Sequence, residues 1–264
     1  MPHDDPPELL AFAEDPAAFV ALSPGEERIE TDAAVVTFEP GDHFWSTSVT
    51  RVRFAGREVA AELGTLRSLM RSRGRRAAAW AIGPSATPDD VVEQLVGLGL
   101  ERESGPSSIL ILTDPPAARP SPFEVRPVRT FEDHVASIEV ANEAFSHSAH
   151  DAEDELRRAR ETFEAEQASD HVARLLALDD GRPVATGRAW FAPHGVYLGG
   201  GATIPSHRER GAMGSLIAAG WTEAERRGTP ALVTSGGEMS TPPLLSLGFR
   251  TVGRIDRLID RFDP

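Results

Sequence analysis

A glycine-rich turn between an apolar, β-prone run and an amphipathic segment is the part of this sequence best suited to chemistry. The run ends at Pro205, and residues 206–214 then hold two arginines and two glycines. Leu216, Ile217 and Trp221 follow at helical spacing, which predicts a helix from about residue 211 to 227. A strand, a glycine-rich turn and a helix in this order present unpaired backbone N–H groups at the positive end of a helix dipole. This arrangement predicts a phosphate-binding turn.

Two interpretations of the turn follow from the residue types. It is either an ordinary connection whose glycines only reverse the chain, or an anion site. Arg208 and Arg210 add permanent positive charge and favour the anion site.

The order Thr-x-Pro-x-x-Arg-x-Arg-Gly-x-x-Gly-Ser-Leu over residues 203–216 resembles motif A of the GNAT N-acetyltransferase superfamily. This resemblance implies that the backbone amides of the turn hold the pyrophosphate of acetyl-coenzyme A, without a metal. Met213 stands where the family usually has Gly or Ala, so the sequence departs from the motif there. The cofactor-binding residues implied are Thr203, Ile204, Arg208, Glu209, Arg210, Gly211, Ala212, Met213, Gly214 and Ser215.

The elements that must position this turn extend over residues 123–264. Apolar periodicity predicts a strand, two helices (130–145 and 152–169), a hairpin and a further strand before the turn. A helix, a strand, a short helix and a last strand follow it. This order resembles a complete GNAT domain, and Leu247-Gly248-Phe249 resembles the end of the family's motif B. The implied fold is α/β (α+β), with a mixed central sheet flanked by helices.

A proline-rich segment divides the chain. Four of the nine residues 114–122 are proline, which excludes a helix or a central strand there. We therefore predict an N-terminal domain (1–115), a linker (116–122) and a C-terminal GNAT domain (123–264).

The first half has elements that parallel the second. It is predicted to hold a short helix near residues 8–19, strands at 33–38, 44–54, 76–82 and 107–112, and helices at 57–73 and after 90. Residues 95–100 and 244–249 share the phrase Leu-x-x-Leu-Gly-apolar after a Thr-Pro-capped helix, which indicates two GNAT-like domains in tandem. The alternative is that helix–Gly–strand junctions look alike in unrelated proteins. Because the first half lacks the arginine-rich turn, we expect a degenerate scaffold that covers a sheet edge or walls the acceptor site.

Acetyl transfer to an amine requires a neutral nucleophile, a polarised carbonyl and often an acid for the departing thiolate. The resemblance implies that a backbone N–H near Thr203 and Ile204 meets the carbonyl. It also implies a tyrosine acid on the motif B helix, but this sequence has Leu244 there. The two catalytic candidates are Tyr197, on the strand that often carries the general base, and Glu238, in a loop that borders the thioester. Packing is the alternative role for Tyr197.

Other ionisable residues give weaker patterns. His194 follows Pro193 in a turn and is interpreted as a solvated loop residue. A group on and after the helix at 130–145 either borders the acceptor or forms a polar helix face: Glu139, Glu143, His147 and His150. No set of His, Asp and Glu has metal-ligand spacing, and a Gly-x-Ser-x-Gly elbow is absent, so neither a metal nor a serine hydrolase is expected.

Composition limits the partners. The chain has 264 residues, a formal net charge of −14 and no cysteine. Cysteine chemistry is therefore excluded, and binding to nucleic acid or anionic membranes is disfavoured relative to a cationic amine or basic peptide. There is no apolar run long enough to cross a bilayer and no leader pattern, so a cytoplasmic protein is expected.

These features predict an N-acetyltransferase that moves an acetyl group from acetyl-coenzyme A to a primary amine by direct attack. The acceptor is a small molecule or peptide that the sequence does not identify, and the protein is expected to be a monomer or homodimer. The alternative is a non-catalytic acyl-coenzyme A-binding or regulatory protein, which Leu244 favours.

Overall fold

The computed structural model describes residues 5–23, 25–41, 43–103, 105–117 and 122–262. Among these residues, no helix is both long and apolar enough to span a membrane. The helices are α1 (Pro7–Glu14), α2 (Val59–Arg71), α3 (Val91–Gly97), α4 (Phe131–Phe145), α5 (Ala149–Gln167), α6 (Ala212–Arg226) and α7 (Thr241–Ser246). The strands are β1 (Glu27–Glu30), β2 (Val35–Phe38), β3 (Thr47–Thr50), β4 (Ala77–Ile82), β5 (Glu101–Arg102), β6 (Ser107–Leu112), β7 (Glu124–Pro127), β8 (Val172–Asp179), β9 (Arg182–Ala192), β10 (Gly195–Thr203), β11 (Leu232–Gly236) and β12 (Arg250–Arg261).

The strands form one mixed sheet. Its order is β1-β2-β3-β4-β12-β6-β11-β10-β9-β8-β7, and the short β5 pairs with β12 outside this path. The pairs β3–β4 and β10–β11 are parallel, whereas the other pairs are antiparallel. A helix connects the two strands of each parallel pair, α2 in the first half and α6 in the second. This is the connection that adjacent parallel strands require.

The two halves exchange their last strands. Strand β6 lies between β11 and β12, and β12 pairs with β4 on its other side. The arrangement on either side of the β6–β12 pair is therefore similar, with a parallel pair next to an exchanged strand. The repetition accords with a duplication. The domain boundaries and the linker remain predictions, and residues 118–121 of that linker lie outside the described residues.

Several predicted elements differ from those observed in the first half. Helix α1 ends at Glu14 rather than near residue 19, because Pro16 disfavours helical geometry at Asp15. The predicted strand at 44–54 is a 3-10 turn (Phe44–Ser46) followed by the four residues of β3. Strand β1 was not predicted, since Glu27–Glu30 is mostly polar and its strand geometry depends on pairing with β2.

The second half follows the prediction more closely, and α6 confirms the predicted helix at 211–227. Helix α5 begins at Ala149 rather than at residue 152. The side-chain oxygen of Ser148 accepts a hydrogen bond from the Asp151 amide at 3.2 Å, which caps the helix earlier than the apolar pattern indicates.

The exchanged strand β12 brings a buried carboxylate into the core of the first half. The Asp260 side chain has no exposed surface, whereas that of Arg67 on α2 is 21% exposed. The Nη2 atom of Arg67 lies 2.6 Å from Asp260 Oδ1, and its Nε lies 3.1 Å from Oδ2. This ion pair fastens α2 to a strand nearly 200 residues later in the chain.

Glu223 near the end of α6 is expected to contribute a small, pH-dependent stabilisation. Hydrogen bonds from Arg226 chiefly, and from Arg227, lower its pKa from 4.5 to about 2. A lowered pKa gives stability that is complete above the unfolded-state pKa and is lost as the pH falls towards 2. Because these side chains are solvent-accessible, Glu223→Gln should reduce the free energy of unfolding at pH 7 by less than about 1 kcal/mol.

Urea unfolding of the two proteins from pH 7 to pH 3 checks this expectation. The difference between them should shrink as the pH falls below 4.5, whereas a constant difference would contradict it. Glu225→Gln, on the same helix, is the matched control and should leave stability unchanged.

Candidate active site

Strands β10 and β11 run together only at their start and then separate. They pair at Val196 and Tyr197, and Thr234 Oγ1 donates to the Leu198 carbonyl at 2.8 Å. Beyond Leu198, β10 keeps its antiparallel partner β9, with a register irregularity after Gly199, but the described strands show no further pairing with β11. The separation opens a cleft that exposes one backbone edge of β10.

The turn after β10 presents a row of unpaired backbone amides. Gly211 precedes α6 in the left-handed region with φ 96°, and Glu209 has φ 62°. Ser215 N donates to Gly211 O at 3.1 Å, whereas the amides of residues 209–214 have no acceptor in the described part of the chain. No side chain in the described ranges caps α6, and residues 208–211 of the turn are exposed. An anion placed here would receive several N–H groups and the favourable end of the helix dipole.

The two arginines of the turn already have protein partners. Arg208 Nη2 donates to the carbonyl of Ala144 at the end of α4 at 2.7 Å, and its Nε donates to Thr203 O at 3.3 Å. Arg210 Nη2 lies 3.1 Å from Asp179 Oδ2, which also contacts His207 Nε2 at 3.1 Å. Arg208 therefore holds the turn against α4, and Asp179 offsets part of the charge of Arg210. The backbone amides are the better anion ligands.

Met213, the departure from the family motif, points towards the sheet. A side-chain atom added to Gly201 of β10 would lie 3.0 Å from Met213 Cε. Met213 packs against two apolar clusters, one that contains Leu216 and one that contains Ile217. The long side chain therefore fills the space beside the glycine and leaves the outer face of the turn open. Gly214 approaches Leu247, and Ala212 is buried.

Thr203 and Ile204 differ in their backbone contacts. The Ile204 amide donates to Val184 O of β9 at 3.0 Å, so this N–H is already used within the sheet. Because amides alternate in direction along a strand, the Thr203 amide faces the cleft. Of the two predicted residues, Thr203 is the one whose N–H is available to a ligand.

Tyr197 lies where β10 and β11 begin to separate. Its ring stacks on Trp190 with centroids 5.3 Å apart. Burial raises the pKa of Tyr197, and the positive charge of Arg257 and a hydrogen bond with Ser235 oppose that shift. Arg257 Nη2 in turn donates to Ser235 Oγ at 3.1 Å. A raised pKa keeps the phenol protonated at neutral pH, which suits a proton or hydrogen-bond donor rather than a base.

The other residues predicted to take part in catalysis do not lie beside Tyr197. Glu238 is exposed in the turn between β11 and α7, and it does not line the cavity that Tyr197 borders. Leu244 is 8% exposed and packs with Leu110 and Phe249, so an apolar core residue occupies the position of the family's acid. His194 packs edge-on against Phe19.

The acidic and histidine group on α4 and the residues after it is exposed, in agreement with a polar helix face: Glu139, Glu143, His147 and His150. Within the described residues, no group of three or more ligand-type side chains is placed to hold a metal ion.

A cavity of about 400 Å³ lies between the two halves and reaches Tyr197 and Ser235. Sequence reasoning missed its charged wall. Glu166, at the end of α5, contacts Arg174 at 2.7 Å and Arg188 at 3.0 Å, and it lies 3.5 Å from Nδ1 of the buried His134. The Glu166 side chain is 12% exposed, and only its contacts with Arg174 of β8 and Arg188 of β9 show that this charged residue of α5 belongs to the cavity wall.

Comparison with models of known sequence families gave a match to part of this chain. Residues 136–243 match the sequence model described as the Acetyltransferase (GNAT) family. This segment includes β10, the turn and α6, which are the elements that the motif resemblance singled out. A search of curated proteins gave no match.

Solved structures resemble the chain over both halves. A GCN5-related N-acetyltransferase from Kribbella flavida has a TM-score of 0.67 at 19% identity, covering 89% of this chain and 90% of that chain. A functionally unknown conserved protein from Staphylococcus epidermidis ATCC 12228 gives 0.68 at 12% identity, with 92% and 96% covered. A tandem GNAT protein from the clavulanic acid biosynthesis pathway gives 0.59 at 15% identity, with 98% and 89% covered. These likenesses confirm the predicted fold.

Proposed function

We propose that this protein, whose residues 136–243 match the Acetyltransferase (GNAT) family, is an acyltransferase that transfers acetyl from acetyl-coenzyme A to a primary amine. The amine attacks the thioester directly. The observation that carries this proposal is the row of unpaired amides at residues 209–214, next to the cleft between β10 and β11.

The residues present fit coenzyme A. The amides of residues 209–214 and the α6 dipole would hold the pyrophosphate, and Arg208 keeps the turn in place through Ala144. The exposed β10 edge at Thr203 would pair with the amide groups of the pantetheine arm, as a neighbouring strand does. When bound, acetyl-coenzyme A supplies the activated acetyl group.

Tyr197 is proposed to donate a hydrogen bond to the thioester sulfur as negative charge develops there. Its protonated phenol and its position at the start of the cleft support this role. Glu238 is a weaker candidate because it is exposed and outside the cavity. It stays a hypothesis that a Glu238→Gln variant would test.

Thermal unfolding with coenzyme A and thiol release from acetyl-coenzyme A with a panel of amines test the proposal together. We expect stabilisation by coenzyme A and amine-dependent thiol release. Stabilisation without release for any amine would instead support the non-catalytic coenzyme A-binding alternative. Absence of both would contradict the two functions together.

Tyr197→Phe should lower kcat by on the order of 100-fold if the phenol acts on the leaving group. Phe retains the stacking on Trp190, so the KM for acetyl-coenzyme A and the melting temperature should change little. Steady-state kinetics and thermal unfolding check both parts. An unchanged kcat would assign Tyr197 to packing.

A further inference from the structure

The cavity between the two halves is built by both of them. Helix α1 and the residues after it, together with strands β2, β3 and β4, supply one side. The other side comes from α5, β8, β9, β10, β11 and β12. Its wall includes Tyr197 and Ser235, so it opens beside the point where β10 and β11 separate. A volume of about 400 Å³ is in the range of small-molecule sites.

Three buried polar atoms of side chains at this cavity have no hydrogen-bond partner among the described residues. They are Asp15 Oδ1, Arg28 Nε and Arg188 Nε. Asp15 is 6% exposed. Arg188 Nε lies at ion-pair distance from Glu166, 3.0 Å, but is not aligned for a hydrogen bond. Buried polar groups are usually paired, so a concentration of unpaired ones around a cavity points to a polar ligand.

The charges around the cavity favour a cation. Six carboxylates and three arginines line it: Glu14, Asp15, Glu26, Glu39, Glu103 and Glu166 against Arg28, Arg188 and Arg257. Glu166 is matched by Arg174 and Arg188, and Arg257 is held by serine hydroxyls. Arg28 donates to the carbonyls of Ala18 and Val20 at 3.4 and 3.0 Å.

Asp15 and Glu39, both from the first half, are left with unused acceptor capacity. Asp15 Oδ2 accepts a hydrogen bond from Thr50 at 3.1 Å, but Oδ1 accepts none from the described residues. The Glu39 carboxylate forms no hydrogen bond or ion pair among the described residues, although Arg75, Arg158 and Arg188 exert a longer-range attraction. Burial raises the pKa of both carboxyl groups, and Glu26 raises that of Glu39 further. A bound ammonium group would compensate both carboxylates.

We infer that this cavity is the acceptor site and takes small amines that carry hydroxyl groups, bound by Asp15 and Glu39 of the first half. The ammonium end meets the carboxylates, and the hydroxyl oxygens accept from the guanidinium N–H groups of Arg28 and Arg188. This inference rests on the proposed acetyl transfer for its chemistry. The first half then serves as the acceptor-binding half.

The transfer balances as follows. The ammonium group releases one proton to solvent, and the neutral nitrogen forms a bond to the acetyl carbonyl carbon. The carbon–sulfur bond breaks, sulfur leaves with the electron pair, and it takes up the second proton lost by the nitrogen. The products are an acetamide, coenzyme A thiol and one free proton.

Calorimetric titration and steady-state kinetics with four probe amines test the inference. The probes are glucosamine, 2-aminoethanol, cadaverine and a short lysine-containing peptide, each with coenzyme A or acetyl-coenzyme A present. Glucosamine and 2-aminoethanol are expected to bind more tightly than the other two. Asp15→Asn and Glu39→Gln should each weaken that binding by about 10-fold, with the KM for acetyl-coenzyme A changed less than about twofold.

Glu30→Gln, an exposed carboxylate of the first half outside the cavity, is the matched control and should bind as the unaltered protein does. Equal acceptor KM values in the unaltered protein, Asp15→Asn and Glu39→Gln would overturn the inference while acetyl transfer stands. Preference for the peptide or cadaverine, or no binding of any probe, would also overturn it. If acetyl-coenzyme A is not consumed, calorimetry still tests whether the cavity binds amines. Weaker amine binding in the variants would then support the binding site even though the protein does not catalyse transfer. Two variants at separate positions are used so that the test remains valid if one of them fails to fold.

Discussion

Gly211→Asp is expected to weaken coenzyme A binding by at least about 30-fold, or about 2 kcal/mol. The residue stands before the first turn of α6, where the unpaired amides of residues 209–214 converge. A carboxylate there would repel the pyrophosphate and would itself occupy the amides. The reduced affinity should be measured by calorimetric titration with coenzyme A.

Gly211→Asn is the control that separates charge from backbone strain. Both replacements must adopt φ near 96°, and Asn and Asp both tolerate the left-handed region better than other side chains do. A carbon atom added at Gly211 would meet no other atom within 4 Å, so neither variant creates a clash at that point. The Asn variant should lose much less affinity than the Asp variant. Equal losses would show that shape, rather than anion binding, explains the effect.

Arg67→Met is expected to lower the free energy of unfolding by about 3 kcal/mol. It leaves the fully buried carboxylate of Asp260 without its bidentate partner. Met retains much of the apolar stem of Arg67, so the loss reports on the missing charge. Urea unfolding at pH 7 measures the change.

Two further variants test whether the loss of stability comes from the unpaired buried charge. Adding Asp260→Asn to Arg67→Met removes the unpaired charge and should recover a substantial part of the stability. Arg51→Ala breaks the exposed pair with Glu30, whose side chains are 41% and 49% exposed, and should cost less than about 1 kcal/mol. If the Arg51 and Arg67 variants lose similar stability, the buried pair is not the link between β12 and α2 that the structure indicates.

The order of residues alone was sufficient to predict the turn and the helix that follows it. The left-handed position of Gly211 and the apolar stripe of α6 depend on neighbouring residues, so residues 203–216 carry most of their own structural information. The local pattern of apolar and polar residues was less informative where pairing with a neighbouring strand determines the secondary structure. The polar β1 becomes a strand only because β2 lies beside it, and Pro16 ends α1 earlier than expected.

Residue order was enough to predict the resemblance of the second half to the GNAT family, the coenzyme-binding turn as a hypothesis, and the repetition of elements between the halves. Three features became visible in the folded structure alone: β6 and β12 are exchanged between the halves, the Ile204 amide bonds Val184, and Asp15 and Glu39 border one cavity with Tyr197. The reason is physical: local sequence sets dihedral preferences and apolar periodicity. The pairing of β6 with β11 and of β12 with β4 instead joins residues more than a hundred positions apart, and the surroundings of single polar atoms follow from that assembled sheet.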